Sequence, residues 1–170
     1  MVTGGTTRSR ASRSNCFDAS ALVKLYIDED RSDILRNYFH GESTKYTTPF
    51  CYFEALSVLK AKRFFRNAMT ADEYHKATFD LTAWFGASST NLPDIKLTDP
   101  KVIPEVLALS KKHSLDLSDS FQIMSVKKGY FSVLSGQSKT ILVTADAGLA
   151  KAAKSEQIRV WNIMTEPPPS

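Results

Sequence analysis

Apolar residues along the chain fall alternately into short unbroken runs and into stripes at helical spacing. Asn15-Cys-Phe-Asp-Ala19 is the first short run, read as a buried strand ending at Asp18. Ser20 then caps a helix that carries Leu22, Val23, Leu25 and Tyr26. Asp28-Glu-Asp30 opens a second helix to about Phe39, closed by Gly41. Lys45-Tyr-Thr-Thr48 reads as a strand, and Thr48-Pro49 supplies an N-cap with Pro at the first helical position. That helix runs through Ala55, Leu56, Val58 and Leu59 to about Arg66. Thr70-Ala-Asp-Glu73 has the capping-box form and starts a helix to about Phe85. After a polar loop over 86–94, Ile95-Lys-Leu97 is a short strand candidate, and Thr98-Asp-Pro100 starts a helix to about His113. Ser118 caps a helix with Phe121, Ile123, Met124 and Val126. Thr140-Ile-Leu-Val-Thr144 is the clearest strand, apolar without alternation, as when both faces of a sheet are covered. Asp146 to Ser155 is helical, and Ile158-Arg-Val-Trp161 is a final strand.

Strands separated by helices predict an α/β fold, a three-layer α/β/α sandwich around a central, mostly parallel sheet of four to five strands. The chain's 170 residues suit one domain, since single domains mostly hold ~100–200 residues. Its expected span is 15–163, between a flexible basic tail over 1–14 and a Pro-rich tail over 164–170. With 42% apolar and 24% charged residues the composition is that of a globular protein, which excludes a disordered tract, a collagen-like chain and a disulfide scaffold. The formal charge of +4 invites a nucleic-acid reading, but Arg8, Arg10 and Arg13 lie in the acid-free first fourteen residues. Subtracting those 3 from 4 leaves the rest of the chain at +1. Bulk charge therefore decides nothing. Cys16 and Cys51 form no C-x-x-C pair and read as buried free thiols of a reducing, cytoplasmic compartment, with a disulfide or a metal role as the alternatives. No stretch approaches the ~18 apolar residues needed to cross a bilayer.

The candidate chemistry lies in four acids. Asp18 and Asp146 each follow the C-terminal end of a predicted strand, the edge at which open parallel sheets form their ligand crevice. Asp119 and Glu54 lie in the first and second turns of their helices, where the macrodipole lowers the cost of gathering anions. All four sit in apolar surroundings, and none has a Lys or Arg within three residues. Buried carboxylates must be paired or bound to a cation. A hard divalent ion, Mg²⁺ or Mn²⁺, accepts such oxygen ligands. Taken singly, Asp18, Asp119 and Asp146 also read as helix caps, and Glu54 as the partner of a distant Lys; the joint pattern favours the metal. Asp116 is the rival for the place of Asp119, and before the helix it reads as a supporting or surface group. Lys60, Lys62, Arg63 and Arg66 follow Glu54 on one helix, and Lys127 and Lys128 end that of Asp119; these six are either an RNA-binding surface or a solvated face. Tyr52, Phe64 and Phe65 either stack bases or join the core. No nucleophile elbow accompanies His40, His75 or His113, no His/Cys cluster has zinc spacing, and no Gly-rich phosphate loop occurs. A haloacid-dehalogenase-type site requires an acid at position 20, which is Ser.

The order Phe17-Asp18-Ala-Ser20-Ala-Leu-Val-Lys-Leu-Tyr26, Glu54-Ala-Leu, Leu117-Ser-Asp119-Ser-Phe and Val143-Thr-Ala-Asp146-Ala-Gly-Leu-Ala150 resembles the PIN domain, the family of the VapC-like ribonuclease toxins. The resemblance covers about 15–163. It implies a metal-dependent endoribonuclease in which Asp18, Glu54, Asp119 and Asp146 hold one or two Mg²⁺ or Mn²⁺ ions. Ser20 and Thr144 match small hydroxyl residues lining the family's site. It further implies an RNA substrate, a small antitoxin protein as partner of a toxin–antitoxin pair, and a homodimer. The competing expectation is the same fold kept as a non-catalytic RNA-binding or protein-docking module.

Overall fold

The structure is a computed structural model that describes residues 14–169 other than 42, 91, 93, 94, 97 and 133–139. Ser14 of the predicted tail over 1–14 belongs to the first strand, and residues 1–13 lie outside the described residues.

Four strands are present among them: β1 (Ser14–Phe17), β2 (Thr44–Tyr46), β3 (Ile141–Thr144) and β4 (Arg159–Asn162). They form one sheet in the order β2-β1-β3-β4, and every pair is parallel. Among the described residues seven α-helices accompany the sheet: α1 (Ala19–Tyr26), α2 (Ser32–Phe39), α3 (Pro49–Phe64), α4 (Ala71–Ser88), α5 (Val102–His113), α6 (Leu117–Lys128) and α7 (Ala147–Ser155). Strand periodicity sorts them onto the two faces. Phe17, Ile141, Val143 and Trp161 pack with α1 to α4, whereas Cys16, Leu142 and Tyr46 meet Ile123 and Val126 of α6 and Leu149, Ala152 and Ala153 of α7. Helices thus cover both faces, which explains why all four residues of β1 and of β3 are buried without alternation, Ile141, Leu142 and Val143 of β3 all being apolar, and suits a three-layer arrangement. Val106 of α5 packs outside α6 against Phe121 and Met124.

The local signals work where side chain and backbone lie close in sequence. Thr48 accepts the Cys51 N–H at 3.2 Å ahead of Pro49, and Thr70 and Glu73 close both halves of their capping box. Other expectations need correction. The cap of α1 is Asp18, whose Oδ2 accepts the Ser20 N–H at 3.2 Å; the cap of α6 is Asp116, whose Oδ1 accepts the Asp119 N–H at 2.8 Å. Ser20 and Ser118 therefore lie inside their helices. Asp28-Glu-Asp30 does not open α2, because the Glu29 N–H turns to Ser32 Oγ at 3.1 Å and Arg31 adopts a left-handed φ of 63° before the helix begins. Ile95 and Lys96 are not in a strand, and Leu97 lies outside the described residues; Ile95 packs instead on the Phe121 cluster. The strand after the N-terminal tail starts at Ser14. Beyond β4 the chain is tied down rather than frayed: Arg31 donates to the carbonyls of Met164 (3.2 Å) and Glu166 (2.7 Å), and Trp161 Nε1 donates to the latter at 3.1 Å. No helix among the described residues is long and apolar enough to cross a membrane.

Candidate functional site

Sheet order decides where the carboxylates meet. From β1 the chain moves outward to β2, and from β3 it moves the other way to β4, so the topological switch falls between the adjacent strands β1 and β3. Ligands of open α/β sheets bind at that point, beyond the carboxyl ends of the strands. Asp18 follows β1 there, and Asp146 lies two residues beyond β3. The Asp18 amide extends the ladder by donating to the Val143 carbonyl at 3.0 Å, which fixes the level of its side chain.

Asp18 is 3% exposed and well clasped on one oxygen. Its Oδ2 accepts from the Ser20 N–H, the Ser20 hydroxyl (2.5 Å) and the Thr144 hydroxyl (2.9 Å). Thr144 Oγ1 in turn accepts the Asp146 N–H at 2.9 Å, and Ser20 Oγ accepts the Ala145 N–H at 2.9 Å. Burial raises the Asp18 pKa against these hydrogen bonds, which pull it down. Asp146 is exposed at the start of α7, with Oδ1 accepting the Leu149 N–H at 2.7 Å. It is a helix cap and a member of the acidic edge at once, so its two readings coexist.

Glu54 comes from α3, half-buried, with Oε2 accepting from Ser118 Oγ at 2.9 Å. The same hydroxyl lies 3.0 Å from Asp116 Oδ1. A single hydroxyl proton thus serves two carboxylates. Burial, opposed by the Ser118 hydrogen bond and reinforced by Asp18, Asp116 and Asp146, raises the Glu54 pKa. Asp119 is raised as well. Burial and then the charges of Asp18, Asp116, Asp146 and Glu54 push it up to about 8. Five carboxylates from four separate stretches of chain therefore share one electrostatic field, and Asp116 is part of it.

None of the five forms an ion pair with a described Lys, Arg or His. The donors are all oxygen, which is the chemistry of a hard divalent cation. As placed, no group of three or more His, Cys, Asp or Glu side chains among the described residues is arranged to hold a metal ion. The carboxylates repel across the crevice without converging on one point. The donor chemistry fits such an ion, and binding one would require the side chains to close on it.

The six basic residues divide. Lys62 pairs with Glu29, which Lys24 also meets at 3.3 Å. Lys127 pairs with Glu156 at 2.5 Å and Lys128 with Glu105. Both end α6, and the eight residue steps from Asp119 to Lys127 span ~12 Å of helix. These three are not brought into the acidic site. Lys60 and Arg66 are exposed on and beyond α3, Arg63 lies over the Phe64 ring at 5.6 Å, and none of the three pairs with a described acid. Tyr52 belongs to the core, stacked on Phe85 at 4.2 Å between ring centres, whereas Phe64 and Phe65 are 60% and 78% exposed. Both cysteines are buried, and neither is in a disulfide. A groove of about 510 Å³ lined by Leu25, Tyr26, Asp28, Arg36, Phe39 and Asp80, among others, contains none of the acids above, and its Arg36–Asp28 pair (2.7 Å) neutralises itself.

Two site residues escape sequence reasoning. Ser118, read as a cap, bridges Glu54 and Asp116. Gln122 is fully buried amid Phe121, Ile123, Met124 and Val126, and a lone amide in such a run is the signal that marks it. No family model matches the chain, and no characterised protein matches it.

Proposed function

We propose that the chain is a PIN-like metal-dependent endoribonuclease that hydrolyses RNA phosphodiester bonds, with Asp18, Glu54, Asp119 and Asp146 as the ligands of one or two Mg²⁺ or Mn²⁺ ions. The observation that carries the reading is the field of carboxylates without a described ion-pair partner at the β1/β3 switch point, which together with burial, the larger cause, raises Asp119 to about 8. A divalent ion bound there would lower the pKa of attacking water and offset charge on the leaving oxygen. The protein's own part is to hold the acids ready. Ser20 and Thr144 clamp Asp18 Oδ2, Ser118 orients Glu54, and Asp146 is fixed by the first turn of α7. With its pKa raised to about 8, the Asp119 carboxyl would hold a proton at neutral pH that a bound divalent cation would displace. Lys60 and Arg63 of α3, with Arg66 just beyond it, pair with no described acid and would be the cations to meet an RNA backbone. The sequence resemblance extends the reading to the toxin of a toxin–antitoxin pair, with a small antitoxin protein and a second copy of the chain as partners.

A second reading, a PIN-like RNA-binding or protein-docking module without catalysis, is favoured by the absence of a ready three-ligand arrangement among the described residues. Cleavage of a mixed RNA panel with Mn²⁺, by wild type and Asp18→Asn, separates the two. Cleavage by the wild type that is lost in Asp18→Asn supports the nuclease. RNA binding with neither cleavage nor Mn²⁺ binding by the wild type sinks it.

A further inference from the structure

Gln122 is 0% exposed. An amide sealed among apolar side chains is tolerated when its polar atoms are bonded. Its side-chain bonds reach residues close in sequence to two of the acids. Nε2 donates to Cys16 Sγ at 3.0 Å, two residues before Asp18. Oε1 accepts from Thr48 Oγ1 at 2.9 Å and from Cys51 Sγ at 3.0 Å, the latter three residues before Glu54. Gln122 itself stands one helical turn after Asp119. One side chain thus ties β1, α3 and α6 together beneath the acids.

The protons give this network a direction. Thr48 Oγ1 accepts the Cys51 N–H, so its single proton is free for Gln122 Oε1. The Cys51 thiol also has one proton but two acceptors in reach, Gln122 Oε1 at 3.0 Å and Asp18 Oδ1 at 3.8 Å. Asp18 Oδ2 is already served by Ser20 and Thr144. Among the described residues, Cys51 is the one side-chain donor facing Oδ1.

We propose that Gln122 is a positioning residue of the acidic site, drawing the Cys51 thiol proton onto its own Oε1 so that Asp18 Oδ1 keeps its lone pairs for a divalent cation; this role rests on the function proposed above. Without the amide oxygen the S–H turns to Oδ1 and competes with the ion.

The full chain serves for the test, with two readouts. The first is the infrared S–H stretch of Cys51 in metal-free protein, assigned by its loss in Cys51→Ala. The band shifts in Gln122→Met, which keeps the volume and removes the amide, and stays in place in Asp18→Asn. A band that responds to Asp18→Asn and ignores Gln122→Met overturns the proposal. The second is Mn²⁺ titration followed by electron paramagnetic resonance of the free ion. Gln122→Met weakens binding about tenfold, the scale of outer-shell substitutions at metal sites. Cys51→Ala leaves it at the wild-type level, and Gln122→Met/Cys51→Ala regains it because no thiol proton remains to compete. Loss in the single variant without recovery in the double marks a packing defect and also overturns the proposal. If Gln122→Met does not fold, Gln122→Asn, which retracts the amide from both sulfurs, replaces it with the same expectations. A wild type that binds no Mn²⁺ defeats the proposed function instead, and the infrared result then decides where the thiol proton goes.

Discussion

Replacing Asp119 by Asn is expected to stabilise the metal-free protein at pH 8 and to leave it nearly unchanged at pH 4. The Asp119 carboxyl moves from an ordinary 3.8 to about 8 in the folded chain, through burial and the charges of Asp18, Asp116, Asp146 and Glu54. Between those two values the folded chain holds a proton that the unfolded chain has released. Folding stability contributed by this group therefore falls as pH rises from about 4 to about 8 and is level above that. At ~1.36 kcal/mol per tenfold change in acidity the upper limit is roughly 6 kcal/mol. Asp119 is only half-buried, so water screens much of the repulsion, and a penalty of about 1–2 kcal/mol is the realistic scale. Asn keeps the backbone N–H that donates to Asp116 at 2.8 Å, so little else changes. Urea unfolding from pH 4 to 8.5 with a chelator measures the difference. Added Mn²⁺ should then raise the stability of the wild type more than that of the variant. A variant no more stable than the wild type at pH 8, or equally stabilised at pH 4, would refute the account of a shared acidic field.

Three other outcomes follow from single contacts. Thr144→Val removes the hydroxyl that donates to Asp18 Oδ2 at 2.9 Å and accepts the Asp146 N–H; thermal and urea unfolding should show a loss of about 1–3 kcal/mol, as for a buried polar group left unpaired, and RNA cleavage should fall with it. Glu156 is held down at about 2 by hydrogen bonds from Lys112, Lys127 and His113; its stabilisation is present above its ordinary 4.5 and is lost as pH falls toward 2. Glu156→Gln should cost about 1–2 kcal/mol at pH 7, discounted for the solvent around both lysines, and should flatten the acid limb of a stability profile between pH 5 and 2. Lys60→Ala should weaken RNA binding and reduce its salt slope, whereas Lys127→Ala, paired at the far end of α6, should leave that slope unchanged.

Much of this fold is legible along the chain because its signals are local. The apolar run of β3, the Thr48-Pro49 start of α3 and the Thr70–Glu73 capping box each need only a few neighbouring residues to declare themselves. The same holds for the positions of Asp18 and Asp146 just beyond strand ends, since a strand's end can be read from where its apolar run stops. Helix starts at α2 and α6 are misread because short polar side chains compete for the same cap, and the winner depends on where the backbone enters the helix.

By itself the sequence determined an α/β chain with acids at the ends of its elements, because apolar periodicity and capping are properties of adjacent residues. Only the tertiary structure decided that the order β2-β1-β3-β4 puts the switch point between the strands of Asp18 and Asp146. It alone joined Thr144 to Asp18 across 126 residues and Ser118 to Glu54 across 64, and gave Lys62, Lys127 and Lys128 to distant glutamates. Pairings at such separations are chosen by how whole elements pack, and no local pattern of residues encodes that choice.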